Sequence, residues 1–364
     1  MSLKRIGILT SGGDCSGLNS VIRAAYKRAS ILGYELIGIQ RGLRGLDSLT
    51  PNYVKLNDDL CDESLLTTSG SILYSDTTWV KSTIGSGKTI DDVKKTIAAG
   101  YKALGLDGLV YIGGDGSLKL MNDLLADNSE LKIVAVPKTI DNDVGSTDFS
   151  VGFKTAVEIA TESIENIRST AKSHERTMVV EVMGRDAGFI AMYAGIASGA
   201  DVILVPEFEH KFEKVLQKVK SCYDLGKNHC IIVVAEAVEA GDFKHDEEFV
   251  DGISKFTQLK YNGIGSHIAS KLKSIGIDAR SVTLGHTQRG GKTSIDDRII
   301  GSAFGVEAVN LIASANCGRL VCYSAGKITS VLIKDMIGQV DKKLSKSDTC
   351  VNIANSLGVY TGEM

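Results

Sequence analysis

The chain has 364 residues, 43% of them apolar and 23% charged, with a formal net charge of −3. That balance offers no bulk attraction to nucleic acid or to an anionic membrane, so any anionic ligand must be held by locally placed Arg, Lys and helix N-termini. Seven cysteines with no CxxC pair point to a reduced, cytoplasmic protein rather than a disulfide scaffold. The opening "MSLKRIGILTSGGD" does not read as a signal peptide, and no apolar run approaches the ~20 residues of a membrane span.

Taken along the chain, short apolar runs alternate with longer amphipathic segments. "RIGILT" reads as a strand, followed by the loop "SGGDCSG" and a helix; "ELIGIQ", "GLVYIG" and "KIVAVP" are the next strands. A long helix, "GFKTAVEIATESIENIRSTAKS", precedes the strands "TMVVEVMG" and "DVILVPE". Then come the helix "KFEKVLQKVKSCYDLG", the strand "CIIVVAE", the helix "GIGSHIASKLKSIG" and the strands "RSVTLGH" and "RLVCYSAG". Strands this apolar, without clean alternation, suit a parallel sheet covered on both faces. The β-then-α order predicts an α/β fold of two doubly wound lobes with mostly parallel sheets and a cleft between them. Ligands of such folds sit at the carboxyl ends of strands. The expected lobes are residues 1–150 plus about 288–340, and about 151–287 plus about 341–364.

The residues able to carry chemistry fall at those ends. In "TSGGDCSG", Gly12 and Gly13 would let backbone N–H groups meet a phosphate at a helix N-terminus, or they serve a tight strand-to-helix turn. The loop is neither a Rossmann GxGxxG nor a Walker A sequence. In "GGDGS", Asp115 lies between Gly114 and Gly116; it can reach a Mg²⁺ on phosphate oxygens or cap a helix, and Gly116 leaves room beside it. "PKTIDND" sets Thr139, Asp141 and Asp143 on one face if the segment is extended, one carboxylate as base and the other toward metal or neighbours; an Asx-turn cluster is the alternative. Arg185 ends a strand in "VEVMGRDAG", where a guanidinium can neutralise a transferring phosphoryl group or make a surface ion pair. "LGHTQRGG" offers His286 and Arg289 as a phosphate clamp, and Glu236 can accept sugar hydroxyls or cap the next helix. Arg176 and Arg280 stand at strand entries, the wrong edge for a site in their own subunit, so their use implies a second subunit.

In order, "TSGGDCSGLN", "IGGDGS", "PKTIDND", "VEVMGRDAG" and "LGHTQRGG" resemble the 6-phosphofructokinase family over roughly residues 3–325. The resemblance implies a phosphotransferase of two α/β lobes, cytoplasmic, working as a homodimer or homotetramer, with neither nucleic acid nor membrane as partner. The first lobe would hold the phosphate donor and the second the sugar phosphate. Asp141 would take the proton of the fructose 6-phosphate 1-hydroxyl. Asp115 would bind Mg²⁺, with Gly13, Gly114, Gly116, Ser117 and Lys138 around the donor. Thr139, Asp143 and Arg185 would line the transferring group, and Met183, Gly184, Glu236, His286 and Arg289 the sugar phosphate, with Arg176 and Arg280 supplied by a neighbour.

The donor follows from two positions. Pyrophosphate-using relatives typically read GGDDS, whose second carboxylate obstructs a nucleotide's α-phosphate; Gly116 here implies ATP. Lys138 matches the pyrophosphate branch, but an ammonium near the phosphates helps either donor, so Gly116 carries more weight. The family's usual "GGTxLGSxR" segment reads "SGSILYSDTTWVKS" at 69–82, with Thr77 where an arginine is expected and Lys81 or Lys88 as substitutes. The alternative is a pyrophosphate-dependent phosphotransferase. A non-catalytic sugar-phosphate sensor would have lost Asp115, Asp141 or Arg185, and all three are present. NAD or lipid kinases share GGDG but leave "TIDND" and "HTQRGG" unexplained.

Overall fold

The computed structural model describes residues 4–47, 50–239, 241, 263–337 and 342–362. The expected domain limit at 340/341 lies outside them. The chain divides into two compact units, Met1–Thr155 with Arg289–Asp341 and Ala156–Gln288 with Lys342–Met364.

The first unit is built on a seven-stranded sheet of order β11-β10-β5-β4-β1-β2-β3. Its inner strands β1 (Arg5–Thr10), β2 (Glu35–Ile39), β4 (Gly108–Gly113) and β5 (Ile133–Pro137) run parallel. They are almost wholly buried, which is why they read as continuous apolar runs. Two short polar strands escaped the sequence reading. β3 (Tyr53–Lys55) is an antiparallel edge of three mostly exposed residues. β11 (Lys327–Leu332) pairs antiparallel with β10 (Arg319–Ser324) through Ala325–Gly326, both at positive φ, a type I′ hairpin without the usual Asn-Gly signal. Helices α1 (Leu18–Ile31), α2 (Trp79–Gly85), α3 (Ile90–Ala103) and α4 (Asp115–Asp127) belong to this unit, with the helix Ile295–Ala313 packed on α1. One buried cluster runs from Leu9 and Ile37 through Tyr111 and Met121 to Leu320.

The winding of this sheet reverses between β1 and β4: β2 lies to one side of β1, while β4 and β5 lie to the other. The loops leaving the carboxyl ends of β1 and β4 therefore open a crevice at a topological switch point, where doubly wound sheets bind ligands.

The second unit carries a four-stranded parallel sheet of order β7-β8-β6-β9. Its strands are β6 (Thr177–Val182), β7 (Val202–Leu204), β8 (Cys230–Ala235) and β9 (Ala279–Thr283). Helices α6 (Phe189–Ser198), α7 (Phe212–Asp224) and Ile264–Ser274 cover it, and α5 (Phe153–Ser173) begins in the first unit and continues into the second. Among the described residues no helix is long and apolar enough to cross a membrane.

Two histidines of this unit, the half-buried His210 and the buried His229, have their pKa values lowered by burial, and His210 carries the larger shift. His210 lies with Nε2 3.0 Å from Val205 N, and burial lowers its pKa from 6.5 to about 4. Below pH 6.5 the unfolded chain takes up a proton that the folded one refuses. Stability from this group is fully present above pH 6.5 and is lost as pH falls toward 4, by at most about 3 kcal/mol. Urea unfolding at pH 7 and pH 5 should show that loss, and His210→Phe should reduce it, leaving the part due to His229; an unchanged slope in the variant would refute the assignment.

Candidate active site

Three loops of the first unit meet at the switch point. After β1, Ser11 N donates to Ile112 O (2.8 Å), tying the first glycine loop to β4, and Ser75 Oγ donates to Gly12 O. After β4, the chain passes Gly114 straight into α4, so Asp115 is the first helical residue and Ser117 N bonds back to Gly114 O at 3.0 Å. After β5, Lys138 N donates to Gly113 O (3.0 Å), and its side chain turns under the first loop, Nζ donating to Gly13 O at 2.6 Å. Lys138 is 4% exposed, and burial lowers its pKa because an ammonium there has lost its water. A buried cation aimed at a glycine loop is suited to a ligand that brings negative charge.

Arg289 adds a second cation to the same loop. Its Nη1 donates to Asp14 O (3.0 Å) and would lie 2.8 Å from a Cβ added at Gly13. By packing it belongs with the donor loops of the first unit, although the sequence grouped it with His286 of the second.

Gly116 faces open space. A Cβ built there meets no atom within 4 Å beyond its chain neighbours and its own helix backbone, so there is room beside Asp115. Asp115 pairs with Lys119 one turn on (2.6 Å). A single carboxylate at a helix start, without a protein cage, matches how Mg²⁺ is held: one or two carboxylates, with waters and phosphate oxygens completing the shell.

The segment after Lys138 is not extended. Asn142 has φ 55°, a left-handed turn that ends any simple alternation of Thr139, Asp141 and Asp143 on one face. Asn142, 1% exposed, holds the turn: Nδ2 donates to Asp148 O (3.1 Å), and Oδ1 accepts from Ser150 N (3.0 Å). Asp141, 8% exposed, is fixed by its own N–H donating to Thr139 Oγ1 at 3.1 Å. Thr139 N in turn donates to Val151 O. The neighbouring Gly152 N and Thr155 N are held by the fully buried Asp297 at 2.9 and 2.8 Å. Neither Asn142 nor Asp297 was singled out in the sequence; side-chain bonds to distant backbone leave no periodic trace. Asn142→Ala should cost about 1–3 kcal/mol for the lost amide bonds. It should also lower kcat by roughly tenfold through misplacing Asp141. Unfolding midpoints and steady-state rates check this, and an unchanged kcat would remove Asn142 from the positioning of the base.

The rewritten segment 69–82 shapes two cavities in this unit. Thr77 lines a cavity of ≈ 360 Å³ with Gly12, Gly13, Asp14, Tyr74 and Ser75. Lys81 and Lys88, the expected substitutes for the missing arginine, line neither cavity. Arg41 and Arg44 border the second, of ≈ 770 Å³, with Asp76, Thr78 and Trp79.

In the second unit, three strand ends converge. Met183, Gly184 and Arg185 follow β6, Glu236 follows β8, and His286 lies in the 3₁₀ turn Gly285–Arg289 after β9. Arg185 N donates to Glu236 Oε1 (2.9 Å), and Met183 N to Gln288 Oε1 (3.3 Å). Gly184 sits at φ 151°, and an added Cβ would stand 2.3 Å from Ala187 O, so no other residue fits that turn. Arg185 follows at φ 52° with its side chain 65% exposed, a strained backbone that presents a guanidinium to solvent. Arg176 and Arg280 flank Asp278 at 3.5 and 3.8 Å, at the other edge of the same sheet. β6 separates the two edges by roughly 20 Å at the rise of a strand.

Glycine loops, a lysine buried beneath them and an aspartate opening a helix, all at a sheet's switch point, define an α/β phosphotransferase. The chain belongs to the phosphofructokinase family, whose profile matches residues 5–312. It is 44% identical to the ATP-dependent 6-phosphofructokinase 1 of Nostoc sp., over 99% of both chains. It is 38% identical to the pyrophosphate–fructose 6-phosphate 1-phosphotransferase of Dictyoglomus thermophilum, over 95% of this chain and 98% of that one. Among solved structures, phosphofructokinase from Saccharomyces cerevisiae aligns with TM-score 0.75 and 28% identity, over 92% of this chain and 45% of the yeast chain.

Proposed function

We propose that the protein is an ATP-dependent 6-phosphofructokinase, transferring the γ-phosphoryl group of ATP to the 1-hydroxyl of fructose 6-phosphate in glycolysis. The observation that carries the donor assignment is Gly116, whose open side leaves space beside Asp115 where a carboxylate would oppose a nucleotide's phosphates. Two relatives, at 44% and 43% identity, are both named ATP-dependent 6-phosphofructokinases.

On this reading the first unit holds the donor. The first glycine loop, Gly114, Ser117 and Lys138 receive its phosphates, and Asp115 would hold Mg²⁺, which supplies charge neutralisation at the phosphate oxygens when bound. Lys138 keeps its charge by pairing with those oxygens, the counter-charge its burial otherwise denies it. Asp141 accepts the proton of the 1-hydroxyl, that oxygen bonds to the γ-phosphorus, and the bond to the β-phosphate oxygen breaks, releasing ADP. Thr139 orients Asp141, and Arg185, which offsets the charge on the transferring group, and Asp143 are assigned to that group by family likeness. The second unit binds the sugar phosphate through Met183, Gly184, Glu236 and His286. Arg289, on the donor side by packing, is assigned to sugar phosphate only by family likeness. NMR of the product tests the reading: fructose 6-phosphate with ATP and Mg²⁺ should give the 1,6-bisphosphate, and ATP hydrolysis alone would contradict it.

We further propose a cytoplasmic homodimer or homotetramer in which Arg176 and Arg280 serve a neighbour's sugar phosphate, because their own strand ends face the other way. Arg280→Ala and Asp141→Asn are each expected to be nearly inactive alone. Mixed after dissociation and reassembly, they should recover about a quarter of wild-type activity in a randomly mixed dimer, since one site then combines two intact halves. No recovery in mixtures shown to contain hybrids would place Arg280 outside the site.

A further inference from the structure

Of the seven cysteines, all free thiols, two lie close together away from the site. Cys222 is on the last turns of α7 and Cys230 is the first residue of β8, the helix and strand that pack together in the second unit. Their Sγ atoms lie within 4.8 Å of each other, with an Asp201 carboxylate oxygen equally near. We propose that Cys222 and Cys230 form an oxidisable dithiol, closed to a disulfide by a small hydroperoxide oxidant.

The contacts around Asp201 decide between this and a metal site. Asp201 Oδ1 accepts from Lys227 Nζ at 2.6 Å and Oδ2 from Ile231 N at 2.9 Å, so the carboxylate is already committed and an ammonium stands against it. A divalent cation would have to displace that charge, whereas a disulfide leaves the ion pair in place. Closing the disulfide requires the two sulfurs to move from within 4.8 Å to the ~2 Å of an S–S bond.

The two thiols are chemically unequal. Pairing with Cys230 lowers the pKa of Cys222 against the opposing effects of burial and the Asp201 carboxylate, with Lys227 adding a smaller lowering. The same pairing, together with burial, raises the pKa of Cys230. Elsewhere burial pushes Cys15 up to about 12 and Cys61 and Cys322 up to about 11, the pattern of inert packed thiols. Cys222 is also the less buried of the pair, at 5% against 0%. The Cys222 thiolate attacks one peroxide oxygen; the O–O bond breaks, leaving a sulfenic acid and hydroxide, which takes up a proton. Cys230 sulfur then attacks Cys222 sulfur, releasing a second water. Two thiols lose two electrons in all, and one peroxide gains them.

The test is peptide mapping of the full-length protein, reduced, treated with hydrogen peroxide, quenched and alkylated after denaturation. Lys227 lies between the two cysteines, so trypsin separates their peptides unless a disulfide joins them. The expected result is a joined pair with loss of both alkylation sites, reversed by dithiothreitol. In Cys230→Ser, Cys222 should instead be trapped by dimedone as the sulfenic acid. Full alkylation of both thiols, at peroxide exposures that oxidise Cys317 or Cys350, would overturn the proposal. So would zinc retained by the pair and shielding it from peroxide.

Discussion

Asp141→Asn is expected to lower kcat by about 10²–10⁴-fold, the usual contribution of a positioned general base. Its affinity for fructose 6-phosphate should stay within about threefold of wild type. The substitution keeps the shape of a side chain that is 8% exposed and leaves intact the backbone bond from Asp141 N to Thr139 Oγ1. The turn held by Asn142 and the clamp from Asp297 to Gly152 and Thr155 stay in place, so the loss falls on proton transfer rather than on folding. Steady-state rates and calorimetric sugar-phosphate binding separate the two, and near-normal turnover would remove Asp141 as the base.

The second large effect concerns the donor. Gly116→Asp should cut kcat/KM for ATP by at least about 100-fold. A like charge ~4 Å from a phosphate oxygen costs about 4 kcal/mol at an effective dielectric of 20, which exceeds the ~2.7 kcal/mol needed. The fold should tolerate the change. The position is the second residue of α4, a Cβ there meets nothing within 4 Å, and acidic residues are favourable in a helix's first turn. An unchanged thermal midpoint with ATP turnover lost is the expected pair of results. Retained ATP turnover would mean that this position does not select the donor.

The parallel strands were legible in the sequence because burial on both faces makes them continuous apolar runs, and the glycine loops were legible because they follow those runs directly. β3 and β11 were not: both are short or polar antiparallel strands at an edge, where half-exposure and an Ala-Gly turn remove the usual signals. At the site, the residue types of the three loops were readable, but their arrangement was not. The left-handed Asn142 replaces the extended segment that the spacing of Thr139, Asp141 and Asp143 suggested. Arg289 packs on the first glycine loop through a bond spanning 275 residues, and Asp297 fixes Gly152 across 145, relations that no local pattern encodes. Lys138 illustrates both sides: its identity was visible next to "TIDND", while its burial under Gly13 came only from the fold.

The most direct test of ATP-dependent phosphofructokinase activity is the initial rate of fructose 1,6-bisphosphate formation by the purified protein with Mg²⁺, run in parallel with ATP and with pyrophosphate. Turnover with ATP and none with pyrophosphate is the predicted result. Turnover with pyrophosphate alone would contradict it, and would assign the choice of donor to Lys138 and the rewritten 69–82 segment instead of Gly116.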